Sequence, residues 1–584
     1  MFTVDLEEYR VGDVAILPID VAEGPIEFDV YSSNDENLEI NFLKADTQAV
    51  TIDKIIIKLH NLLRLKFVQK AHEIKINDLT LHCAGIEYFG GAEVENLNIF
   101  TNQPHIELWG NVANNVKIMR LPNEDEEIIR KLLPGIVIIP GCGEYILDPQ
   151  RSKAIQSLNE IKEELPNTKW IAPVAAWFVD ILNIKNCHIR PGVEKSLEEG
   201  GDPNWRVGEY DRTSAHQISH NGDSIVNYGG SINDESVVNY LTTAKDHGFK
   251  IMFYPSIMVD MPGKPWRGHI GVDGVPEDVE PFYEEYRKFI IHYAKLVQGK
   301  VDAFIIGSEL VGLTRIHTSD NQFPFIEKLI ELAREVKAIL GADVKITYAA
   351  DWSEYHSAGG VLRPLDALWA CEAIDFVGID AYFPLTDSRN SMISVEEIKH
   401  GWQSGEGYDY YIGEDEQKHS WGNELWNAWK NLKHWWSSEH WVGSKKTSWK
   451  PEMKPIWFTE FGFPSIDKAS NKPNVFFNPN TQDSGTPTHS TGKADDDVQR
   501  KALRATLEFW QHSSFVHNMF GYCLDARGNG WHKEEYTDSN LWTYGHWIKL
   551  GQQGINLLYE NFRTKTVAIT MQHHAIEKQQ LKQI

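Results

Sequence analysis

FIIGSEL, residues 304–310, is the stretch on which the fold turns. The apolar run Val301–Ile306 is strand-length, breaks at Gly307 and delivers a carboxylate, Glu309, directly beyond it. Downstream, Phe325, Ile326, Leu329, Ile330, Ala333, Val336 and Leu340 recur at helical spacing, and Val344–Ala349 is again a strand. The unit is strand, helix, strand. Outward from it the same alternation continues in both directions. Strands are expected at Gly135–Pro140, Trp170–Phe178, Lys250–Pro255, Phe376–Ile379, Pro455–Thr459 and Met519–Leu524. Helical stripes fall at Ala154–Leu165, Val237–Ala244, Phe282–Val297, Leu365–Cys371, Glu416–Trp436 and Val498–Trp510.

Apolar strands separated by amphipathic helices pair in parallel. Eight such units predict a (β/α)8 TIM barrel over residues 126–555, in the α/β class. The rival is an open doubly wound sheet. It lacks its phosphate fingerprint, because GCGEY at 141–145 has no third glycine and no capped helix behind it. The region Asp180–Ser231, rich in Gly, Asn and Asp, is an insertion between strand two and its helix, expected at the barrel mouth. Residues 1–125 differ. Short runs at Val50–Leu59, His72–Leu81, Asn96–Thr101 and His105–Val112 predict a β-rich module, a sandwich or a short β-stack, without a strict repeat. Residues 556–584 form a C-terminal tail, helical to polar.

Composition narrows the function classes. A net charge of −26 over 584 residues repels phosphate backbones, so nucleic acid and anionic membranes are excluded as partners. No run of 18 apolar residues occurs, so no membrane insertion is expected. Five cysteines without a CxxC pair exclude a disulfide framework and a structural zinc site. The acidic start MFTVDLEEYR has no signal-peptide pattern, which gives synthesis in the cytoplasm. The chain carries 20 Trp, 21 Tyr and 25 Phe, which suits either sugar-stacking surfaces or a large aromatic core.

In a barrel of this kind the C-terminal strand ends carry the chemistry. Strand four ends on Glu309 and strand seven, PIWFTEFGFP (455–464), on Glu460. Each is either paired with an Arg or Lys, or one half of a catalytic pair. Two carboxylates facing across a barrel mouth are the equipment of glycoside hydrolysis. The other strand ends supply Trp177, Asp260, Trp266, Ser308, Asp351, Trp352, Asp380, Tyr382, Asp525 and Arg527, with His269 and His356 nearby. Asp380 would bind a sugar hydroxyl or clamp a loop, and Tyr382 would orient an attacking carboxylate.

The strings GSEL, TYAADW (347–352), GIDAYFPL (378–385) and FTEFGFPSID (458–467), in this order, resemble retaining β-mannanase-type glycoside hydrolases. More narrowly, CHIRPGVE (187–194), YGGSINDESVVNYL (228–241), PGKPWRGHI (262–270), DKASNKPNVF (467–476) and WTYGHWIKL (542–550) resemble the TIM-barrel-like domain of gene transfer agent and phage tail proteins. The resemblance spans roughly residues 130–550. It implies Glu309 as general acid/base and Glu460 as nucleophile, both catalytic. It places Asp351, Trp352, Asp380 and Tyr382 in pocket-lining motifs; with Trp177, Trp266, Ser308 and Asp525 from the strand ends and loops they are the expected substrate-binding residues, with no cofactor and no metal. Partners would be a glycan substrate and phage-like tail proteins, and the setting a virion or gene-transfer-agent tail. The sequence departs from the hydrolase pattern at Ser308, where related enzymes carry Asn, and at strand eight, CLDARG in place of a Trp platform, for which Trp531 or Trp542 would substitute.

Overall fold

The computed structural model describes the strands of the first 120 residues without their connections, and then residues 124–140, 153–220, 226–358, 362–390, 393–413, 415, 417–422, 427–477, 481–526, 546, 548 and the strand Leu558–Tyr559. The chain divides into two compact units, residues 1–124 with 551–584, and residues 125–550.

In the larger unit, eight parallel strands among the described residues close on themselves. They are Gly135–Ile139, Trp170–Val179, Lys250–Val259, Ala303–Ser308, Lys345–Asp351, Val377–Asp380, Ile456–Phe461 and Val516–Asp525. Neighbours pair in chain order, and the first also pairs with the eighth, Gly135 opposite Phe520. This is the TIM barrel that the alternation predicts, not the open sheet. GCGEY itself lies outside the described residues. The strands are apolar on both faces because one face fills the barrel and the other meets the helices. Met252, Tyr254, Ala303, Ile305, Ala349, Trp457 and Phe520 belong to the inner cluster. Phe253, Phe304, Ile306 and Ile346 pack outward, against the layer that contains helices Val279–Leu296 and Pro324–Leu340.

Strands two to eight end one to four residues beyond the predicted runs, and the first ends one residue short, at Ile139. The helices are where periodicity puts them, with one exception. Of the stretch Glu416–Trp436, Lys418–Ser420 is a strand paired with Tyr410–Ile412, and helix begins only at Leu432. Trp429, Trp435 and Trp436 pack into or against the main core, so their spacing mimics a helical stripe. The insertion after strand two is folded. Trp205 is fully buried, its Nε1 donates to the Ser231 carbonyl at 2.9 Å, and Ser231 Oγ donates to the Ala176 carbonyl at 2.5 Å. Cys187, Cys371 and Cys523 are buried and not joined in disulfides. No helix of the described residues is long and apolar enough to cross a membrane.

The smaller unit is neither a sandwich of antiparallel strands nor a regular repeat. Its strands fall into two sheets, visited almost alternately along the chain, and the strand pairs are parallel except at the termini of the sheets. Equivalent positions stack. Ile55, Leu79 and Leu97 form one buried ladder, and Ile57, Leu81 and Ile99 a second. The β-stack is the alternative that holds. The step between stacked partners is 29 residues from Ile26 to Ile55 but 18 from Leu79 to Leu97, which explains the missing repeat. The tail from residue 556 lies outside the described residues, except that Leu558–Tyr559 pairs antiparallel with Val116–Lys117.

Each coil of such a stack can bury its apolar side chains only against the next one. Replacing Leu79, at the middle of the ladder, by Ala is expected to destabilise this unit by about 2–5 kcal/mol. Denaturant unfolding of the wild type and the variant, read as a change in midpoint at constant slope, measures it.

Candidate active site

The register of the barrel brings acidic residues to one level. Asp351 is paired with Asp380 across strands five and six, and Asp380 with Glu460 across strands six and seven. Glu309 joins them from strand four, its backbone N–H donating to the Ala349 carbonyl at 2.9 Å. All four are buried. One carboxylate oxygen from each of Glu309, Asp380 and Glu460 lies within 4.8 Å of the others. The two strand-end glutamates therefore face one another in a shared space.

Their hydrogen bonds differ in kind. Glu460 Oε1 accepts from the Tyr254 hydroxyl and Oε2 from the Tyr382 hydroxyl, each at 2.6 Å. Glu309 Oε2 accepts from the Trp266 indole at 2.7 Å and pairs with Arg267 Nη2 at 2.9 Å. Glu309 thus has an arginine partner and also faces Glu460. Arg267 Nη2 also donates to Ser308 Oγ at 2.8 Å. Ser308 Oγ in turn lies 2.8 Å from the Tyr254 hydroxyl and 3.2 Å from Asp380 Oδ2. Asp380 Oδ1 accepts from Thr459 Oγ1 at 2.7 Å. Asp380 and Ser308 are thus internal members of the network, holding the side chains around them.

Burial of charge sets the protonation of this cluster. Desolvation pushes the Glu460 carboxyl up to about 7, and the neighbouring Glu309 charge adds to it. Arg267 and the two tyrosine hydroxyls pull the other way. Burial, then the charges of Glu460 and Glu309, hold Asp380 well above the usual carboxylate range. Burial, then Glu309, pushes Asp351 up to about 7. A cation would find three carboxylates within reach here, yet the Arg267 guanidinium and the two tyrosine hydroxyls already occupy oxygens of Glu309 and Glu460.

The structure brings Trp266, Ser308, Asp380 and Tyr382 into direct contact with the two glutamates or with each other. Trp177 it does not. Its ring lies among Phe289, His292 and Tyr293 of the outer helix, Nε1 donates to Tyr293 Oη at 3.2 Å, and it is 2% exposed. Because side chains alternate along a strand, the last Trp of an apolar strand points outward as readily as inward. Trp352 is half-buried against Trp429 and Phe383. Asp525 is buried at the end of strand eight, paired in register with Ile139. Asp260 clamps the insertion, accepting from His216, Ser219 and Asn227. His269 bonds Asp483, and His356 bonds Ser357. Arg527, Trp531 and Trp542 lie outside the described residues.

Tyr254 and Arg267 are the residues that reading the sequence misses. Tyr254 sits in the apolar run KIMFYP, where a hydroxyl inside a barrel needs a partner, and that need was the available signal. Gly268 explains the delivery of Trp266. A Cβ there would sit 2.3 Å from the indole ring, so only glycine lets the ring fold back over the loop toward Glu309.

Residues 284–526 match the family model of the GTA TIM-barrel-like domain. The matched segment includes strands four to eight, hence Glu309, Asp351, Asp380 and Glu460. Among solved structures, a GH113 β-1,4-mannanase is 16% identical, covering 74% of this chain and 99% of its own, with a TM-score of 0.41. A GH113 β-mannanase from Alicyclobacillus acidocaldarius is 14% identical, covering 73% and 95%, with a TM-score of 0.41. Xylanase 10B from Thermotoga maritima is 8% identical, covering 69% and 85%, with a TM-score of 0.29. No curated protein matches the chain.

The raised carboxyls give the barrel a defined pH response. Folding favours their protonated forms, so this stabilisation is complete below the ordinary carboxylate range and is lost as pH rises through about 7. Glu460→Gln, which needs no proton, is expected to be more stable than the wild type at pH 8, on the order of 3 kcal/mol at most, and nearly equal to it at pH 4. Thermal unfolding of both proteins across that range measures it.

Proposed function

We propose that the barrel is a glycoside hydrolase that cleaves a β-linked envelope or cell-wall glycan with retention of configuration, and that it works at the tail tip of a phage-like or gene-transfer-agent particle. The observation that carries the chemistry is the pairing of Glu309 with Glu460 across the mouth, with carboxylate oxygens within 4.8 Å. Retaining enzymes hold their carboxyl groups about 5–5.5 Å apart, whereas inverting ones leave about 6.5–9.5 Å for a water. The short separation supports the retaining course.

In this proposal Glu460 attacks the anomeric carbon. The hydroxyls of Tyr254 and Tyr382 each donate to one of its oxygens, which favours its ionised form and fixes its aim. Glu309 donates a proton to the leaving oxygen as the glycosyl–Glu460 ester forms, then takes a proton from the water that hydrolyses the ester. Trp266 and Trp352 are half-buried near strand ends and offer ring faces to sugar C–H groups. The name of the matching family supports the tail setting.

A second reading, a glycan-binding tail component without turnover, is favoured by one contact. The Arg267 guanidinium is ion-paired with Glu309 Oε2 at 2.9 Å, so that oxygen is already engaged where a leaving group would have to meet it.

Release of reducing ends from cell-wall and mannan-type glycans separates the two. The wild type is expected to release them, Glu460→Gln to fall below detection, and Glu309→Gln to lose about 10²–10⁴-fold. Glycan retention without release by all three proteins supports the binding reading instead. Co-sedimentation with tail particles, as against recovery only as free protein, tests the setting.

A further inference from the structure

Glu309 has a backbone φ of +52°, in the left-handed region that a Glu residue rarely enters. Such a conformation is strained and persists only where surrounding contacts enforce it. Two hydrogen bonds bracket it here. The Glu309 N–H donates to the Ala349 carbonyl, and the next N–H, Leu310, donates to the Tyr348 hydroxyl at 2.7 Å. The second bond is unusual because a side chain on strand five captures the backbone beyond strand four.

Tyr348 is itself held. It is fully buried, and its hydroxyl donates to Glu354 Oε1 at 3.0 Å. Thr314 Oγ1 donates to the same oxygen at 2.5 Å, and the Asp351 N–H donates to Oε2 at 3.1 Å. Glu354, 2% exposed, is a buried carboxyl that the proposed reaction does not use. It ties together strand five, the turn after it and the short helix Val311–Thr314 that follows Glu309. A Tyr hydroxyl has one proton. Given to Glu354, it leaves the oxygen lone pairs facing Leu310, so Glu354 also fixes the polarity of the contact. The sequence makes room for this. A Cβ at Gly307 would lie 3.0 Å from the Tyr348 ring and 2.6 Å from the Tyr286 hydroxyl, so glycine two residues before Glu309 admits the ring beneath strand four.

We infer that Tyr348 and Glu354 are positioning residues that hold Glu309 in its left-handed conformation and thereby aim its carboxylate into the mouth. They touch no substrate and act through the Leu310 amide. The inference rests on the proposed role of Glu309 as acid/base, but its geometric half stands apart from turnover.

The experiment is a set of crystal structures with parallel kinetics for Tyr348→Phe, Glu354→Gln and Glu354→Leu, each first checked for folding by circular dichroism. Tyr348→Phe removes one oxygen and keeps the ring. It is expected to move Glu309 out of the left-handed region and break its contact with the Trp266 indole. On a cleaved glycan, kcat is expected to fall about 10–100-fold with KM within twofold, and the alkaline limb of the pH profile to shift. Glu354→Gln keeps an acceptor for Tyr348 and Thr314, so it should recover much of what Glu354→Leu loses, which a merely space-filling role would not show. If Tyr348→Phe leaves Glu309 and its Trp266 contact in place, the inference is overturned. In an active wild type that result, with kcat unchanged, leaves the hydrolase reading standing. If the wild type cleaves no glycan, the hydrolase reading fails alone, and the Glu309 geometry in the variants still decides the positioning claim.

Discussion

Carboxylates with little water around them are the constraint on which this structure depends. Strands four to seven each bring one acid to the same level, and Arg267 ion-pairs with Glu309 among them. Like charges so close cannot all be ionised in a buried space. The barrel manages this by hydrogen bonding from neutral donors. Tyr254 and Tyr382 serve Glu460, Thr459 serves Asp380, and Trp266 serves Glu309. The remaining repulsion is relieved by protons, which is why several of these groups titrate far above their usual range.

The barrel was legible because each strand is a continuous apolar run and most of the runs are followed by a stripe at helical spacing. FIIGSEL and PIWFTEFGFP locate the two glutamates because a charge directly after an apolar run can lie only at a strand end. Less legible was the direction of a side chain within a strand. A shift of one residue sends Trp177 into the helix layer, while Tyr254 faces the mouth. Periodicity does not report this, since both faces of these strands are apolar. Contacts made by loops were the other blind spot. Trp266 reaches Glu309 because Gly268 lets its indole fold back, and no spacing rule in PWRGH announces that.

The N-terminal unit shows a different limit. Its runs were visible as strands, but their parallel stacking was not, because that arrangement is usually read from a fixed period. Here register is kept by the buried ladders Ile55–Leu79–Leu97 and Ile57–Leu81–Ile99, while the connecting lengths vary. A stack requires only that equivalent positions be apolar, so the sequence between them is free to drift.

The account's central claim is that Glu460 and Glu309 act as nucleophile and acid/base across one short gap. The most direct measurement is the anomeric configuration of the first product, followed by proton NMR in the minutes before mutarotation mixes the anomers. The account predicts that the β-anomer appears first and the α-anomer grows in later. An α-anomer that appears first would contradict it.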